Sequence, residues 1–250
     1  MILAYVFLIG VCFGSFANVL SYRLPRGLSV IKPPSACPVC KAYINALDLI
    51  PVLSFFILKG RCRNCSAVIP KRYLFTELIC AALFVLVVWL VPDLSAILLL
   101  FFVFILLAVS LIDWDTQTIP DNLIIAGILG AVVWLALAYV LPLPLNPGVK
   151  AAVLGAAAGG LPLFLIDKLV WLLYKKDGFG FGDVKLMAMA GLFLGWQNMP
   201  QVFIFAFISG GAYAVFLLVT GRASRGAYIP FGPFLSAGCV FALVIPAIVG

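Results

Sequence analysis

Long apolar runs, separated by short polar or proline-containing segments, dominate the chain. A membrane span needs about 20 apolar residues, and eight runs come close to that length. They cover residues 1–20, 74–91, 96–114, 122–141, 149–173, 184–198, 202–220 and 230–249. The pattern predicts an all-α polytopic membrane protein with about eight transmembrane helices. No cleavage site of small residues follows the first run, so we expect a retained span rather than a signal peptide.

Composition agrees with the runs and narrows the chemistry. Hydrophobic residues make up 65% of the 250 positions and charged residues 10%, whereas soluble proteins carry about 45–50% and about 25%. The chain contains no histidine, which excludes Ser-His-Asp and Cys-His catalysis and histidine metal sites. Catalysis would therefore depend on Asp, Glu, Cys, Lys, Tyr or Ser side chains. Nine residues are acidic, and Glu77 is the only glutamate among them, so few carboxyl groups could serve as acid or base.

The basic residues predict the orientation in the membrane. With eight spans, 15 of the 16 lysines and arginines fall on one side, and Lys150 alone falls on the other. Basic loops stay in the cytoplasm, so this side is predicted to be cytoplasmic. The net charge of +7 suits anionic lipid headgroups. Because the basic residues are dispersed and no recognition motif accompanies them, nucleic-acid binding is not expected.

Four cysteines lie between the first two runs, in the pairs Cys37-Pro-Val-Cys40 and Cys62-Arg-Asn-Cys65. This spacing is typical of a zinc ribbon, and four thiolates would leave a structural zinc ion no open position. Two disulfides are the alternative, although a cytoplasmic segment is a reducing environment. We therefore predict a zinc-ribbon-like cytoplasmic domain over residues 21–73. Residues 41–61 contain an apolar stretch of only about 13 residues, which is too short to span.

Three aspartates are predicted at the cytoplasmic edge of the membrane. Asp113 and Asp115 close the third span, and Asp183 opens the sixth after Gly180 and Gly182. Ionisable groups at this depth are costly and suggest function. Two carboxylates that meet there would share a proton, so that one acts as a base and the other as an acid.

Each acidic residue also has a simpler interpretation, which the sequence leaves open. Asp115 could be a solvated charge at a helix end, and Asp183 could be a charge favoured by the dipole at a helix N-terminus. Asp121, after Pro120, fits a helix cap. Glu77 fits a charge that compensates the dipole at the start of the second span.

The motifs taken together resemble the type IV prepilin peptidase family of bifunctional leader peptidases and N-methyltransferases, over nearly the whole chain. The matching elements are Gly14-Ser-Phe-Ala-Asn18, the two cysteine pairs, Asp48-Leu-Ile-Pro51, Lys59-Gly60-Arg61-Cys62, Arg72-Tyr73 with Glu77, Asp113-Trp-Asp115, Ile119-Pro120-Asp121, Gly180-Phe-Gly182-Asp183-Val-Lys185 and Ile229-Pro230-Phe231-Gly232-Pro233-Phe234. The co-occurrence of the cysteine pairs with both aspartate elements makes the resemblance specific.

The resemblance implies a membrane aspartic protease of the bacterial inner membrane, with Asp113 and Asp183 as its catalytic residues. Its substrates would be prepilins or the pseudopilins of type II secretion, whose basic leaders lie in the cytoplasm. Supporting or substrate-binding roles fall to Asp115, Gly180, Gly182 and Lys185.

The resemblance also implies a second activity and a division of the chain. The new N-terminal residue would be methylated from S-adenosylmethionine by the cytoplasmic domain, with Gly60, Arg61, Arg72 and Glu77 as the associated residues. Residues 1–20 would form the first helix, residues 21–73 the zinc domain, and residues 74–250 a seven-helix protease domain.

One function from another class remains possible on the sequence alone. A proton-coupled transporter could use the intramembrane aspartates as a proton relay, with the zinc-held domain as a cytoplasmic cap. No clear internal repeat or pair of broken helices favours it.

Overall fold

The structure is a computed structural model that describes residues 1–141, 143–175, 180–222 and 228–249, with side chains as far as Ile245. Lys176 and Arg225, two of the 15 basic residues assigned to the cytoplasmic side, lie outside the described residues. The α-helices of the described part are α1 (Ile2–Arg23), α2 (Leu53–Ile57), α3 (Arg72–Leu90), α4 (Ser95–Thr116), α5 (Asp121–Leu137), α6 (Gly148–Tyr174), α7 (Phe181–Leu194), α8 (Met199–Val219) and α9 (Gly232–Val249).

The predicted all-helical, multi-pass character is confirmed. A helix lies at each predicted run, and within the described ranges five helical segments are long and apolar enough to cross a membrane. These segments are Ile2–Arg26, Arg72–Leu90, Ser95–Thr116, Gly148–Tyr174 and Trp196–Val219. The helices at the other three runs are α5, α7 and α9. The first two have 17 and 14 residues, and α9 is described with side chains only as far as Ile245. Five spans are thus supported within the described ranges, and the count of eight stays a prediction.

The helix α7 shows why a run and a helix differ in length. The sixth run was predicted over residues 184–198, but α7 begins at Phe181 and ends at Leu194. Gly195 follows with φ of 72° and ψ of 167°, a conformation that only glycine adopts without strain. The chain therefore leaves the helix at this point although the sequence remains apolar.

The chain divides into two compact units, and the first is Met1–Trp89. Here α1 packs closely on α3 through two glycines spaced four apart. A Cβ atom on Gly10 would lie 2.5 Å from the Cα of Ala81, and one on Gly14 would lie 2.6 Å from the Cα of Glu77. Small residues at this spacing let two helix backbones approach each other in a membrane.

The segment between the cysteine pairs forms a one-turn 3-10 helix, Ala46–Leu49, followed by the five-residue helix α2. This agrees with the expectation that the apolar stretch is too short to span. Leu53, Phe56 and Ile57 of α2 are exposed, so its apolar side chains are not part of a protein core.

The second unit is Leu90–Gly250, and α4 is the most buried of its long apolar helices. In the most apolar 18-residue stretch of α4, 61% is buried, whereas the corresponding share is 28% in α6 and 17% in the Trp196–Val219 segment. Its Phe102 stacks on Phe193 of α7 with 4.4 Å between ring centroids. Gly155 and Gly191 bring α6 and α7 into backbone contact. The helix α4 and its neighbour α7 are the two elements that carry the aspartates.

Candidate functional site

Asp113 and Asp183 are buried, each with 4% of its surface exposed. Asp113 lies in the last turn of α4, which ends at Thr116. Asp183 lies in the first turn of α7, and its backbone N–H donates to the carbonyl oxygen of Gly180 over 2.9 Å. The two residues are close enough to interact electrostatically. Two independent helices thus bring two carboxyl groups to one place, as the motifs predicted.

A third helix completes the surroundings of Asp113. The backbone N–H of Gly232, the first residue of α9, donates to Oδ2 of Asp113 over 2.9 Å. A helix N-terminus carries unpaired N–H groups and a partial positive charge, so it suits a carboxylate. A Cβ atom on Gly232 would lie 2.8 Å from that same oxygen, so the contact requires glycine.

The side chain of Asp183 lies close to Gly180 and Tyr228. A Cβ atom on Gly180 would lie 3.6 Å from Oδ2 of Asp183 and 3.1 Å from Oη of Tyr228. The other oxygen of Asp183, Oδ1, is buried and has no hydrogen-bond partner among the described residues. Oδ1 of Asp183 therefore has hydrogen-bonding capacity that the described residues do not use.

Tyr228 borders the two carboxyl groups. Burial, together with the nearby carboxylates of Asp183 and Asp113, raises the pKa of the Tyr228 phenol above its ordinary value. An O–H group that stays protonated beside two acids can act as a hydrogen-bond donor.

The predicted supporting residues have diverse surroundings. Asp115 is exposed. Gly182 packs closely on Ile119, since an added Cβ atom would lie 2.9 Å from the Cβ of Ile119. Lys185 pairs with Asp121 over 2.7 Å and lies over the ring of Phe181. This ion pair joins the first turns of α5 and α7, so Lys185 acts within the protein framework, and Asp121 is bonded to a side chain rather than being only a helix cap.

The four predicted cysteine ligands lie together in the first unit. Their sulfur atoms are all within 4.8 Å of one another, and the sulfur atoms of Cys37 and Cys65 are 3.8 Å apart. A tetrahedral ion with metal–sulfur bonds near 2.3 Å requires sulfurs about 3.8 Å apart. The residues therefore fit a closed metal site, with a zinc ion among those that match its size and donor set. All seven cysteines are free thiols, so the two-disulfide alternative is not the arrangement found.

Two similar turns hold the cysteine pairs. In the first, the N–H of Cys37 donates to Ala42 and its carbonyl accepts from Lys41; in the second, Cys62 bonds to Ala67 and Ser66 in the same way. Isolated β-bridges, Ala36 with Tyr43 and Arg61 with Val68, flank the turns. Each pair is thus fixed by its own backbone, in the manner that its spacing predicted.

The thiols of the cluster titrate unequally. Backbone N–H groups of Cys40 and Val39 lower the pKa of Cys37 to about 6. Ala67 also donates to Cys65, but burial and the neighbouring sulfurs outweigh that bond and raise the pKa of Cys65 to about 11. Four thiolates in one small volume repel one another, and a divalent cation removes that repulsion.

The resemblance associates four residues with methyl transfer, and two of them, Gly60 and Arg61, lie beside the second cysteine turn. Gly60 has φ of 67°, and its N–H donates to Phe55. Arg61 is exposed and forms the bridge with Val68. The neighbouring Arg63 holds Asp48 through two hydrogen bonds of 2.8 Å and 2.6 Å, and this guanidinium group lowers the pKa of the Asp48 carboxyl.

The other two residues that the resemblance associates with methyl transfer, Arg72 and Glu77, lie on α3. Arg72 is exposed at its first residue. Glu77 is buried, accepts the N–H of Val52 over 2.7 Å, and is also bonded to Ser15. Val52 has φ of 63°, a costly conformation for a β-branched residue. The carboxylate of Glu77 therefore stabilises the strained turn that precedes α2.

Sequence reasoning assigned no role to Gly232 or Tyr228. Gly232 appeared only within a motif that supported the family resemblance, and Tyr228 precedes that motif without belonging to it. Both contact residues at least 45 positions away along the chain, so no local pattern identifies them.

Comparisons with known proteins agree with the geometry. The bacterial peptidase A24 N-terminal domain matches residues 8–91, and the type IV leader peptidase family matches residues 100–215. Among similar proteins is a prepilin leader peptidase/N-methyltransferase of Aeromonas salmonicida, 34% identical over 96% of this chain and 89% of its own. Others with the same name come from Pseudomonas putida, 36% identical over 91% and 85%, and Klebsiella pneumoniae, 40% identical over 81% and 90%.

No solved structure matches the chain significantly. The relatives nevertheless cover both the cysteine cluster and the aspartates over almost the full length of each protein. The two units, the four-thiolate cluster and the buried aspartate pair thus occur in one chain, and that chain belongs to the type IV prepilin leader peptidase family.

Proposed function

We propose that this chain removes the short basic leader of prepilins or type II secretion pseudopilins at the cytoplasmic face of the bacterial inner membrane, with Asp113 and Asp183 as its catalytic residues. One observation carries the proposal. Two buried aspartates from separate helices lie within electrostatic reach of each other, in a chain without histidine. Such a pair can supply both a base and an acid for peptide hydrolysis.

The hydrogen bonds around the pair suggest which residue takes each role. Asp113 accepts the Gly232 N–H, and such a bond is strongest when the acceptor is ionised. We assign Asp113 the part of the base, which removes a proton from the attacking water. Asp183 then gives the shared proton to the scissile carbonyl oxygen as water adds to the carbonyl carbon. When the C–N bond breaks, Asp113 passes the proton that it took from water to the leaving amine, and the diol returns a proton to Asp183 as the new carboxyl group forms.

The glycines beside Asp183 provide access for the substrate. An extended peptide must place its carbonyl carbon near both carboxyl groups, and Gly180 leaves room at that position because it has no Cβ atom. Gly182 lets α7 pack against Ile119, and the Lys185–Asp121 pair fixes the start of the helix. Asp115, being exposed, is assigned a supporting role at the entrance.

We further propose eight spans with both termini outside. The basic residues favour this arrangement, because a different count would distribute them over both faces. Residues 1–20 are then the first transmembrane helix, residues 21–73 the cytoplasmic domain, and residues 74–250 the protease domain. The three shorter helices α5, α7 and α9 would be the remaining spans.

The cytoplasmic domain is proposed to hold one structural zinc ion through Cys37, Cys40, Cys62 and Cys65. It is also proposed to methylate the new N-terminal residue from S-adenosylmethionine, with Gly60, Arg61, Arg72 and Glu77 as the residues involved. The relatives named prepilin leader peptidase/N-methyltransferase support methyl transfer, and the Glu77–Val52 bond gives Glu77 a structural part in the domain. A proton-coupled transporter gains no support from these contacts.

Incubating the purified full-length protein with a prepilin and S-adenosylmethionine tests both activities at once. Mass spectrometry of the pilin N-terminus should show loss of the leader together with a gain of one methyl group. A prepilin that remains intact would contradict the peptidase proposal, and a cleaved but unmethylated product would contradict methyl transfer alone.

A further inference from the structure

We propose that Tyr228 is a third catalytic residue, whose phenol O–H donates a hydrogen bond to the scissile carbonyl oxygen as negative charge develops on it. The inference rests on the proposed cleavage by Asp113 and Asp183. It adds an electrophilic donor to the acid and the base of that reaction.

The space beside Gly180 is the first observation. The position of an added Cβ atom there lies 3.1 Å from Oη of Tyr228 and 3.6 Å from Oδ2 of Asp183. The phenol and the carboxyl group therefore both lie close to the backbone of Gly180. A substrate carbonyl oxygen placed beside Gly180 would be within reach of both groups after small adjustments of their side chains, since O–H···O bonds are typically about 2.5–3.0 Å long.

The backbone of Tyr228 is tied to the helix end that carries Asp113. The side-chain Nε2 of Gln117 donates to the carbonyl oxygen of Tyr228 over 3.2 Å. Gln117 itself terminates α4, where its N–H donates to the carbonyl oxygen of Asp113 over 2.8 Å. The backbone from which the phenol extends is thus held beside the end of α4 by an independent contact, although Tyr228 lies in a loop.

The phenol is suited to donate rather than to accept. Burial and the two carboxylates oppose its ionisation, so it remains an O–H group at neutral pH. A donor placed at a developing oxyanion accelerates acyl transfer, because its hydrogen bond to the oxygen is stronger in the transition state than in the ground state. A buried donor of this kind contributes about 10²–10³-fold, and Tyr228, 54% exposed, should contribute less.

Steady-state kinetics of prepilin cleavage test the assignment. Tyr228→Phe keeps the ring and removes the donor, so kcat should fall about 10- to 100-fold with KM nearly unchanged. Methylation of a pilin that has already been cleaved should continue at the rate of the unaltered protein. The matched control is Tyr139→Phe, because Tyr139 is an exposed tyrosine just beyond α5 and should leave both activities unaltered.

Incorporating a fluorinated, more acidic tyrosine at position 228 provides a second measurement that does not remove the side chain. A more acidic phenol is a stronger hydrogen-bond donor, so near neutral pH, where it is still protonated, kcat should be at least that of the unaltered enzyme, while the limbs set by the acid pair stay in place. A kcat in the fluorinated variant as low as that of a variant without the donor, an unchanged kcat in Tyr228→Phe, or a rise in KM alone would overturn the role of Tyr228. These outcomes leave the acid pair intact, whereas full cleavage by Asp113→Asn would instead contradict the proposed function.

Discussion

The backbone N–H of Gly232 donates to Oδ2 of Asp113 over 2.9 Å and so joins the start of α9 to the end of α4. The two residues are 119 positions apart in the sequence. The contact gives the glycine of the Pro230-Phe231-Gly232-Pro233 segment a physical role, because a side chain there would occupy the space of the carboxylate. The orientation of the proposed base therefore depends on a backbone position in another helix.

Gly232→Ala should impair cleavage without unfolding the protein. The added Cβ atom would lie 2.8 Å from Oδ2 of Asp113, so the carboxyl group must move, and a displacement of about 1 Å in a catalytic group can cost about 10²-fold. Cleavage rate is the measurement, with methylation of a cleaved pilin as the test of integrity.

Gly211→Ala is the matched control, since an added Cβ atom at Gly211 of α8 has no neighbour within 4 Å. It should cleave at the normal rate. Equal rates for the two alanine variants would contradict the claim that Gly232 positions Asp113.

The cysteine cluster should contain about one zinc ion per chain, with zinc–sulfur distances near 2.3 Å. Cys62→Ser should lose the metal and destabilise residues 21–73 more than the helices, because a small domain depends on its metal for folding energy. Elemental analysis and hydrogen exchange by mass spectrometry measure the two effects.

Cys12→Ser serves as the control for that experiment, since Cys12 lies on α1 away from the cluster and is exposed. It should retain the metal and normal exchange. Fully active protein with no metal and with two disulfides among the four clustered cysteines would contradict the metal site.

The proposed topology predicts which positions an impermeant thiol reagent can reach in intact cells. Leu145→Cys, between α5 and α6, should be labelled from outside, whereas Lys175→Cys, directly after α6, should be labelled only after the membrane is permeabilised. Both variants are made with Cys12→Ser. Labelling of Lys175→Cys from outside would remove the basis for placing Asp183 on the cytoplasmic face.

The local sequence pattern was sufficient to predict where the long helices lie and which cysteines form the cluster. Apolar runs located every long helix, because a membrane helix must satisfy its own backbone and present apolar side chains. The cysteine spacing likewise determines the backbone turns that place Cys37 and Cys62. In both cases the chemistry depends on residues that are near neighbours in the sequence.

The local sequence pattern did not predict contacts between residues that are far apart in the sequence. Asp113 and Asp183 could be placed at one membrane edge, but the Gly232 donor and the Tyr228 phenol come from a different part of the chain. The bond between Glu77 and Val52 joins α3 to a strained turn, which neither residue type reveals. The packing of the helices determines these contacts, and the pattern of apolar runs does not show how the helices pack.

The central claim is that Asp113 and Asp183 act as one acid–base pair. Asparagine keeps the size of each side chain and removes its ionisable carboxyl group, so each single variant should lose at least about 10²–10⁴-fold in cleavage rate. The pH profile of the unaltered enzyme should be bell-shaped and belong to the pair. Asp115→Asn, at an exposed neighbour, should be much milder.

The rate of prepilin cleavage by Asp113→Asn, Asp183→Asn and the double variant is the most direct test. Because the two residues act as a unit, the double variant should be hardly slower than either single variant, while methylation of a cleaved pilin survives in all three. Cleavage at the unaltered rate in either single variant would contradict the account, as would loss of cleavage in Asp115→Asn together with normal cleavage in Asp113→Asn.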